Sequence, residues 1–427
     1  MHSTAQPSFA DLVRVFVRIG LLSFGGPAGQ IALMQHEIVD RRGWVDQSAF
    51  LHALNLCNLL PGPEAQQLAT WIGWRLHGLR GGLAAGLLFV IPGALVMLGL
   101  SLLYALATGL AWFAALFLGI KAAVLAIVAQ ALIRIGRRAL GTRFKQAVAV
   151  AAFLMLALAH APFPVVILGA ALAGTLTGKL RPDWLGLKPL VAPVGEPAHW
   201  RHLTGKTIVT CLVWLAIWAA PMALVAVTLG THHVLWQIGL FFSRLAVMTF
   251  GGAYAVLSYM AQASVEHYHW LAPGEMADGL GLAETTPGPL ILVTQFTGFL
   301  AAWRAPGVLA PLVSGLLGAG LTLWVTFAPC FLWIFACAPW MERLEQARGL
   351  QAALSAITAA VVGVIGNLAL WFALHVLFAG GTLAGFDWRA AVIAVLAAVL
   401  LFAAKRGVVL TLALSGAAGM LLSMLTV

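Results

Sequence analysis

Charged residues are scarce in this sequence. Only 9% of its 427 residues are Asp, Glu, Lys or Arg, whereas 62% are hydrophobic. A soluble domain carries about 25% charged residues, so this composition excludes a water-soluble protein with a large buried core. Cysteine is scarce as well. The 4 cysteines lie in apolar segments without metal-type spacing, so neither a disulfide framework nor a metal cluster is implied.

What the sequence has instead is a series of long apolar runs. Each is long enough to cross the ~30 Å hydrocarbon core of a bilayer as an α-helix. We expect no removable signal peptide ahead of the first apolar segment. The sequence therefore predicts an all-α polytopic membrane protein. The longest runs are Ala84–Ala107, Ala111–Ile133, Thr207–Leu229, Leu354–Phe378 and Val408–Met424.

The net charge of +10 does not indicate a nucleic-acid-binding protein. The basic residues lie in short loops between apolar runs, which is typical of loops on the cytoplasmic side of a membrane. Two such loops are marked by Arg134–Lys145 and by Lys179–Lys206. They predict that the N-terminus is cytoplasmic.

The chain contains an internal repeat. A shift of 226 positions superposes residues 16–63 on residues 242–289 without a gap. Hydrophobic composition alone does not explain shared Arg, Trp, Gly-Gly and Pro-Gly-Pro at one offset, so we infer a duplication. A later block, in which Pro92 matches Pro329, supports it. The predicted organisation is an N-terminal repeat over residues 1–178, a cytoplasmic linker over 179–206, and a C-terminal repeat with one extra span over 207–427.

The extra span, Thr207–Leu229, inverts the second half relative to the first. The positive loops then lie on the cytoplasmic side, and the C-terminus is periplasmic. In each half, Gly/Pro motifs break two apolar segments. The charge pattern favours re-entrant pairs of half-helices at these breaks over kinked full spans.

The four breaks are the candidate binding site. Irregular backbone in a membrane must line a cavity or a buried interface, and the start of a half-helix offers unpaired N–H groups to an anion. The alternative is that the glycines only allow close helix packing. The candidate residues are Ser23, Gly25, Gly26, Pro27, Pro61, Gly62, Pro63, Thr249, Gly251, Gly252, Thr286, Pro287, Gly288 and Pro289.

Five charged residues in or beside apolar segments extend this candidate site. Arg18 and Arg244 occupy equivalent positions, and we expect them to be buried and to bind or gate an anion, although Arg18 could instead extend to the cytoplasmic surface. Lys121 is a candidate substrate ligand, proton-coupled group or carboxylate partner. Glu64 and Glu284 are candidate coupling residues, with a simple helix cap as the alternative for Glu64.

No feature of the sequence indicates catalysis or a bound metal. His232, His233, His267 and His269 fall in predicted outer loops without a third ligand cluster, which favours interfacial histidines. No Gly-x-Ser-x-Gly motif stands beside a base. We therefore expect a protein that is not an enzyme and needs no cofactor.

The motifs at the breaks resemble those of the chromate ion transporter family in its long, two-domain form. The resemblance is carried by Phe24-Gly25-Gly26-Pro27, Trp44 and Leu60-Pro61-Gly62-Pro63, and again by Phe250-Gly251-Gly252, Trp270 and Thr286-Pro287-Gly288-Pro289. It covers both halves in the same order. The copies differ where Ala253 replaces Pro27 and Leu290 replaces Glu64, so a site formed by both copies is asymmetric.

This resemblance implies efflux of chromate across a bacterial inner membrane, with sulfate as an analogue, driven by a proton gradient or the membrane potential. The residues alone indicate only a small-anion transporter. A sulfate or other oxyanion carrier is the alternative within this class, and a passive anion channel or a membrane-embedded enzyme is the disfavoured alternative outside it. The sequence leaves the oligomeric state open, with a homodimer as one option.

Overall fold

The computed structural model describes residues 7–187, 200–250, 253–378 and 385–425. Across these ranges the chain folds into α-helices joined by short turns, without a β-strand. Seven of the described helices are long and apolar enough to cross a membrane. The prediction of an all-α polytopic membrane protein is confirmed.

The helices of the two halves follow one another in the same order. The first half contains α1 (Phe9–Leu22), α2 (Gly26–Met34), α3 (Gln47–Leu59), α4 (Glu64–Ala107), α5 (Ala111–Ala139), α6 (Arg143–Ala157) and α7 (Phe163–Leu180). The second half begins with an additional helix, α8 (Trp200–Thr228). It continues with α9 (Val234–Met248), α10 (Ala253–Gln262), α11 (Pro273–Thr285), α12 (Val293–Arg304), α13 (Pro311–Cys337), α14 (Met341–Glu345), α15 (Arg348–Leu377), α16 (Trp388–Ala398) and α17 (Val408–Leu425).

The Gly/Pro motifs interrupt the helices where the sequence predicted. Proline cannot donate to the helical hydrogen-bond ladder, and glycine readily adopts the positive φ at which a helix direction changes. The interruptions separate α1 from α2, α3 from α4, α9 from α10, and α11 from α12. We call them breaks 1 to 4 in chain order. The prediction of broken helices at these motifs is confirmed.

Helix α4 is not a straight rod. The backbone leaves helical geometry at His77 and at Gly78, where φ is +58°. A Cβ atom on Gly73 would overlap the carbonyl oxygen of Gly81, and one on Gly86 would overlap the hydroxyl of Thr70. Residues this far apart in one straight helix would not touch. Residues 64–77 (α4a) therefore fold back against residues 79–107 (α4b).

The second half repeats this arrangement with α12 and α13. A Cβ on Gly298 would overlap the hydroxyl of Thr322, and one on Gly318 would overlap the carbonyl oxygen of Gly298. Small residues let two helix backbones approach closely where no larger side chain separates them. In both halves, therefore, the segment after a Pro-Gly-Pro motif folds back along the following long helix.

The long helices of the two halves run antiparallel to each other. Gly82, near the start of α4b, lies against Phe335 near the end of α13. One turn further along α4b, Gly86 lies against Phe331. The contact positions rise along one helix as they fall along the other. The start of α4b and the end of α13 therefore lie at the same end of the helix bundle.

The two halves interlock through α5 of the first half and α15 of the second. Helix α5 packs against α16 and α17 of the second half, and α15 packs against α6 and α7 of the first. Glycines permit both contacts, since a Cβ on Gly119 of α5 would overlap the Ser415 carbonyl and one on Gly363 of α15 would overlap the Ala149 carbonyl. Each half thus completes the packing of the other. The predicted boundary between them falls largely on residues 188–199, outside the described residues.

Candidate functional site

The four breaks are joined in pairs across the two halves. The backbone N–H of Gly288, in break 4, donates to the carbonyl oxygen of Ser23, in break 1, at 2.8 Å. The N–H of Gly62, in break 2, donates to the carbonyl oxygen of Thr249, beside break 3, also at 2.8 Å. Gly62 matches Gly288 in the repeat, and Ser23 matches Thr249. The two hydrogen bonds are therefore the same contact made once in each direction.

A buried glutamine reinforces the junction of breaks 1 and 4. The side-chain amide of Gln30 donates to the carbonyl oxygen of Gly288 at 2.6 Å and, at 3.4 Å, to that of Ser23. Its carbonyl oxygen, Oε1, is buried without a partner among the described residues. Gln67 bonds the carbonyl oxygen of Pro61 in break 2 at 2.7 Å. The sequence signal for both was a glutamine shortly after a break, but the repeat has Val256 and Val293 at the equivalent positions, so neither glutamine is a duplicated feature.

Break 1 is open. Gly25 and Gly26 have φ of +87° and +70°, and a Cβ atom on either would meet nothing within 4 Å. Helix α2 begins there without a side-chain cap. The first N–H groups of a helix lack internal acceptors and carry a partial positive charge. Break 1 therefore offers uncapped donors beside open space, which suits an anion.

Breaks 2 and 4 are closed. Pro61, Gly62 and Pro63 are buried, and so are residues 286–289. Gly62 is packed against Gln67 and Cys330, and Gly288 against Gly93 of α4b. The N–H groups of both glycines already donate across the interface between the halves. They are therefore not among the free donors in this arrangement. Gly251 and Gly252, the predicted site glycines of break 3, lie outside the described residues.

The hydroxyl groups predicted to bind an oxyanion donate to their own helices. Ser23 Oγ donates to Ile19 O at 2.6 Å, and Thr249 Oγ1 donates to Leu245 O at 2.8 Å. Thr286 Oγ1 donates to Ala283 O at 3.0 Å. All three side chains are buried. Their hydroxyl protons satisfy carbonyl groups at helix ends, where the ladder stops.

The side chains of Arg18 and Arg244 lie on the surface of the helix bundle and not in its interior. The reason lies in the helix face. Helix α1 buries Leu12, Val15 and Ile19, and Arg18 falls beside that stripe rather than in it. Arg18 lies within electrostatic range of Glu37, and Arg244 within range of Tyr259. Both partners belong to the segment that follows the break, so each arginine, which precedes the break, lies close to the segment on its other side.

The two predicted coupling acids differ in their surroundings. Glu284, one turn before break 4, is buried and accepts a hydrogen bond of 2.5 Å from the hydroxyl of Tyr254. Glu64 is half-buried at the first residue of α4, directly after break 2. A carboxylate at that position interacts favourably with the helix N-terminus. Glu284 is therefore tied to a second side chain, whereas Glu64 interacts chiefly with its own helix.

Lys121 lies away from the breaks, beside the start of α11. Its Nζ would stand 3.4 Å from a Cβ on Gly274. It lies within electrostatic range of Glu275 and of Asp278, a buried residue that the sequence reasoning missed. The hydroxyl of Tyr104 donates to Asp278 Oδ2 at 2.9 Å. Of the three roles considered for Lys121, the surroundings favour that of a carboxylate partner.

An ion pair holds the start of α11 against the end of α12. Arg304 donates to both carboxylate oxygens of Glu275, at 2.5 and 2.8 Å. Burial acts to raise the pKa of Glu275, but the hydrogen bonds from Arg304 and from the Ala272 N–H outweigh it, so the pKa lies below its usual value. The pair is bidentate, which fixes the relative orientation of the two helices.

Comparison with known proteins gives one consistent result. The model of the family described as "Chromate transporter" matches residues 10–175 and 236–420. The probable chromate transport protein of Synechococcus elongatus is 28% identical over 366 residues, which cover 86% of this chain and 84% of that protein. The chromate transport protein of Pseudomonas aeruginosa is 32% identical over 365 residues, which cover 84% of this chain and 80% of that protein. The chromate transport protein of Cupriavidus metallidurans is 28% identical over 369 residues, covering 86% and 82%. No solved structure gives a significant match.

Proposed function

The chain belongs to the chromate transporter family, and from this premise we propose that it exports chromate across the bacterial inner membrane. The printed names of its relatives support chromate as the substrate. The observation that carries the proposal is the reciprocal bonding of the breaks, in which Gly62 contacts Thr249 and Gly288 contacts Ser23. It brings irregular backbone from both halves into one region between long apolar helices, as secondary transporters do at their binding sites.

We propose that the two halves have opposite orientations in the membrane. The antiparallel contacts of Gly82 with Phe335 and of Gly86 with Phe331 support this. So does the charge distribution. The turn between α4a and α4b, the end of α5 and the stretch from α14 to the start of α15 share one end of the bundle, and these segments carry basic residues, in agreement with a cytoplasmic face. They are Arg75, Arg80, Arg134, Arg137, Arg138, Arg343 and Arg348.

We further propose that the broken pairs are re-entrant. His52, midway along α3, hydrogen-bonds Glu345 at 2.9 Å, and Glu345 follows the end of α13. Phe9, at the start of α1, contacts His77 at the turn of α4, with ring centroids 5.8 Å apart. These contacts put both ends of the first broken set near the same end of the bundle. On this reading the N-terminus is cytoplasmic and the C-terminus periplasmic.

In the proposed mechanism Arg18 and Arg244 each attract the anion towards the broken pair of their own half, and the uncapped donors at break 1 bind it. Exposed cations attract a dianion without the desolvation cost of a buried charge. The free N–H groups at the start of α2 replace part of the hydration shell of the oxyanion. Movement of the halves about the two cross-half hydrogen bonds would then expose the region to either side. Glu64 and Glu284 are candidates for coupling this movement to a proton gradient. No step in this cycle requires catalysis.

The experiment is uptake of radiolabelled chromate into proteoliposomes, with pH gradient and membrane potential imposed separately. We expect saturable chromate transport that sulfate competes with and that at least one gradient drives. Equal, unsaturable flux of several unrelated anions would instead indicate a passive channel. Transport of sulfate without chromate would indicate a different oxyanion carrier. No flux of either anion would contradict the proposal.

A further inference from the structure

The proposed function gives no role to Asp278, a buried acid. Asp278 lies on α11 with only 3% of its surface exposed. Its Oδ2 accepts the hydrogen bond from Tyr104 of α4, while its Oδ1 is buried with no partner in the part of the chain that the structure describes. An ionised carboxylate with an unsatisfied oxygen is costly in a low-dielectric site. Oδ1 is therefore placed to take up a proton.

Two charged groups act electrostatically on Asp278, Lys121 from α5 and Glu275 from one turn earlier on α11. Arg304 of α12 is bound to Glu275. Glu275 and Arg304 neutralise each other in their bidentate pair. Lys121 interacts electrostatically with Asp278, although the described residues show no ion pair between the two side chains. Lys121 is therefore the group that balances the charge of Asp278 when it is ionised.

Helix α11 connects this acid to the break region. It begins at the partly exposed Glu275–Arg304 pair and ends at Thr285, directly before break 4. Glu284, on the same helix, accepts a hydrogen bond from Tyr254. A change of charge at Asp278 thus acts on the helix that leads directly into break 4, where Gly288 bonds Ser23. The same helix bears the acid and positions the break.

We propose that Asp278 is the proton-binding site that couples chromate transport to the pH gradient. This rests on the proposed function. Protonation forms an O–H bond at Oδ1, leaves the Tyr104 hydrogen bond at Oδ2 in place, and removes the negative charge that faces Lys121. Release of the proton to water on the other side restores that charge. Only a proton is exchanged, so no electron donor or acceptor is required.

The test compares two modes of transport in proteoliposomes of the full chain. Asp278→Asn keeps the shape of the side chain but cannot bind and release a proton. We expect chromate exchange without a gradient to stay within about twofold of the wild type, because exchange needs no net proton movement. Accumulation driven by a pH gradient at clamped potential, and chromate-dependent proton entry reported by a trapped pH dye, should fall at least about tenfold.

Asp46→Asn is the matched control. Asp46 is an exposed residue that caps α3 through the Ala49 N–H at 2.9 Å, a role that asparagine also fills. This variant should retain both modes. If Asp278→Asn does not fold, Tyr104→Phe keeps the carboxylate and removes its hydrogen bond. It should move the pH midpoint of gradient-driven transport up by about one unit, since the bond favours the ionised form.

Three outcomes would overturn the proposal. The first is undiminished accumulation of chromate under a pH gradient in Asp278→Asn. The second is loss of both chromate exchange and gradient-driven accumulation in folded Asp278→Asn, which would place Asp278 in anion binding. The third is accumulation of chromate that a sodium gradient drives and a proton gradient does not. A wild type that moves no chromate in either mode would contradict the proposed function itself, so the two failures are distinguishable.

Discussion

Gly288 donates its backbone N–H to the carbonyl oxygen of Ser23 at 2.8 Å, across the boundary between the two halves. The φ angle of Gly288 is +90°, a conformation that residues with a Cβ rarely adopt. Gly288→Ala should therefore cost about 1–2 kcal/mol from backbone strain alone. We expect a lower thermal unfolding midpoint in detergent and reduced chromate transport.

Gly99→Ala is the control for this substitution. Gly99 lies on the exposed face of α4b, where a Cβ atom would meet nothing within 4 Å. Alanine favours a helix by about 1 kcal/mol relative to glycine, so this variant should be at least as stable as the wild type. A Gly288→Ala variant as stable and active as Gly99→Ala would show that the junction does not need this backbone geometry.

Gln30 provides a test of the same junction through a side chain. Gln30→Met keeps the length of the side chain but removes the donor to the Gly288 and Ser23 carbonyl groups. Two buried acceptors then each have one hydrogen bond fewer, and we expect a loss of about 1 kcal/mol in stability. Transport should fall further than stability does, because the junction holds break 1 open. The measurement pairs thermal unfolding with initial uptake rates, and Gln47→Met, at an exposed position at the start of α3, is the control.

The sequence predicted the helices better than their contacts. The repeat placed breaks at residues 24–27 and 60–63 correctly, because proline and glycine limit a helix locally. The turn of α4 at His77 and Gly78 lies between Arg75 and Arg80, where charged residues interrupt the apolar sequence. These features depend only on neighbouring residues.

Contacts between the halves could not be read in the same way. Hydrophobic runs identify helices but not the face that each helix buries, so Arg18 was expected to be buried although it lies beside the stripe formed by Leu12, Val15 and Ile19. The sequence reasoning also missed Asp278. Its link to Tyr104 spans 174 positions, and no local pattern reports such a contact.

The exposed arginines predict an effect on affinity. Arg18→Gln and Arg244→Gln should each raise the KM for chromate about tenfold, since the exposed charge attracts the anion before binding. The maximal rate should change by less than about twofold. The effect should shrink as ionic strength rises. Arg14→Gln is the control on the same helix, because Arg14 is exposed and paired with Asp11 at 3.0 Å. A fall in the maximal rate at unchanged KM would instead place these arginines in the translocation step.

The Glu275–Arg304 pair predicts a pH dependence of stability. The pKa of Glu275 lies below its ordinary value of 4.5, since the hydrogen bonds and charge of Arg304 outweigh the opposing effect of burial. A group with a lowered pKa stabilises the folded state above its unfolded pKa, and the stabilisation is lost as pH falls through the folded pKa. Because Arg304 is 41% exposed, we expect only about 1 kcal/mol from the pair.

The measurement for this pair is the thermal unfolding midpoint in detergent between pH 6 and pH 3. Glu275→Gln should be less stable than the wild type at pH 6, and the difference should narrow towards pH 3, where the wild-type carboxylate becomes protonated. Asp183→Asn, at an exposed position after α7, should follow the wild type throughout. A constant difference between Glu275→Gln and the wild type over this range would show that the ion pair is not its cause.

The interlocked helices predict that the two halves can assemble from separate chains. Helix α5 of the first half packs on α16 and α17, and α15 of the second half packs on α6 and α7, so each half leaves a surface that only the other covers. Co-expression of residues 1–187 with residues 200–427 should therefore give a complex that co-purifies and transports chromate.

Gly119→Leu should prevent assembly, because any Cβ at that position would overlap the Ser415 carbonyl. Gly169→Leu, on α7 where a Cβ meets nothing within 4 Å, should assemble normally. Recovery of the complex with Gly119→Leu would mean that the α5–α17 contact does not hold the halves together.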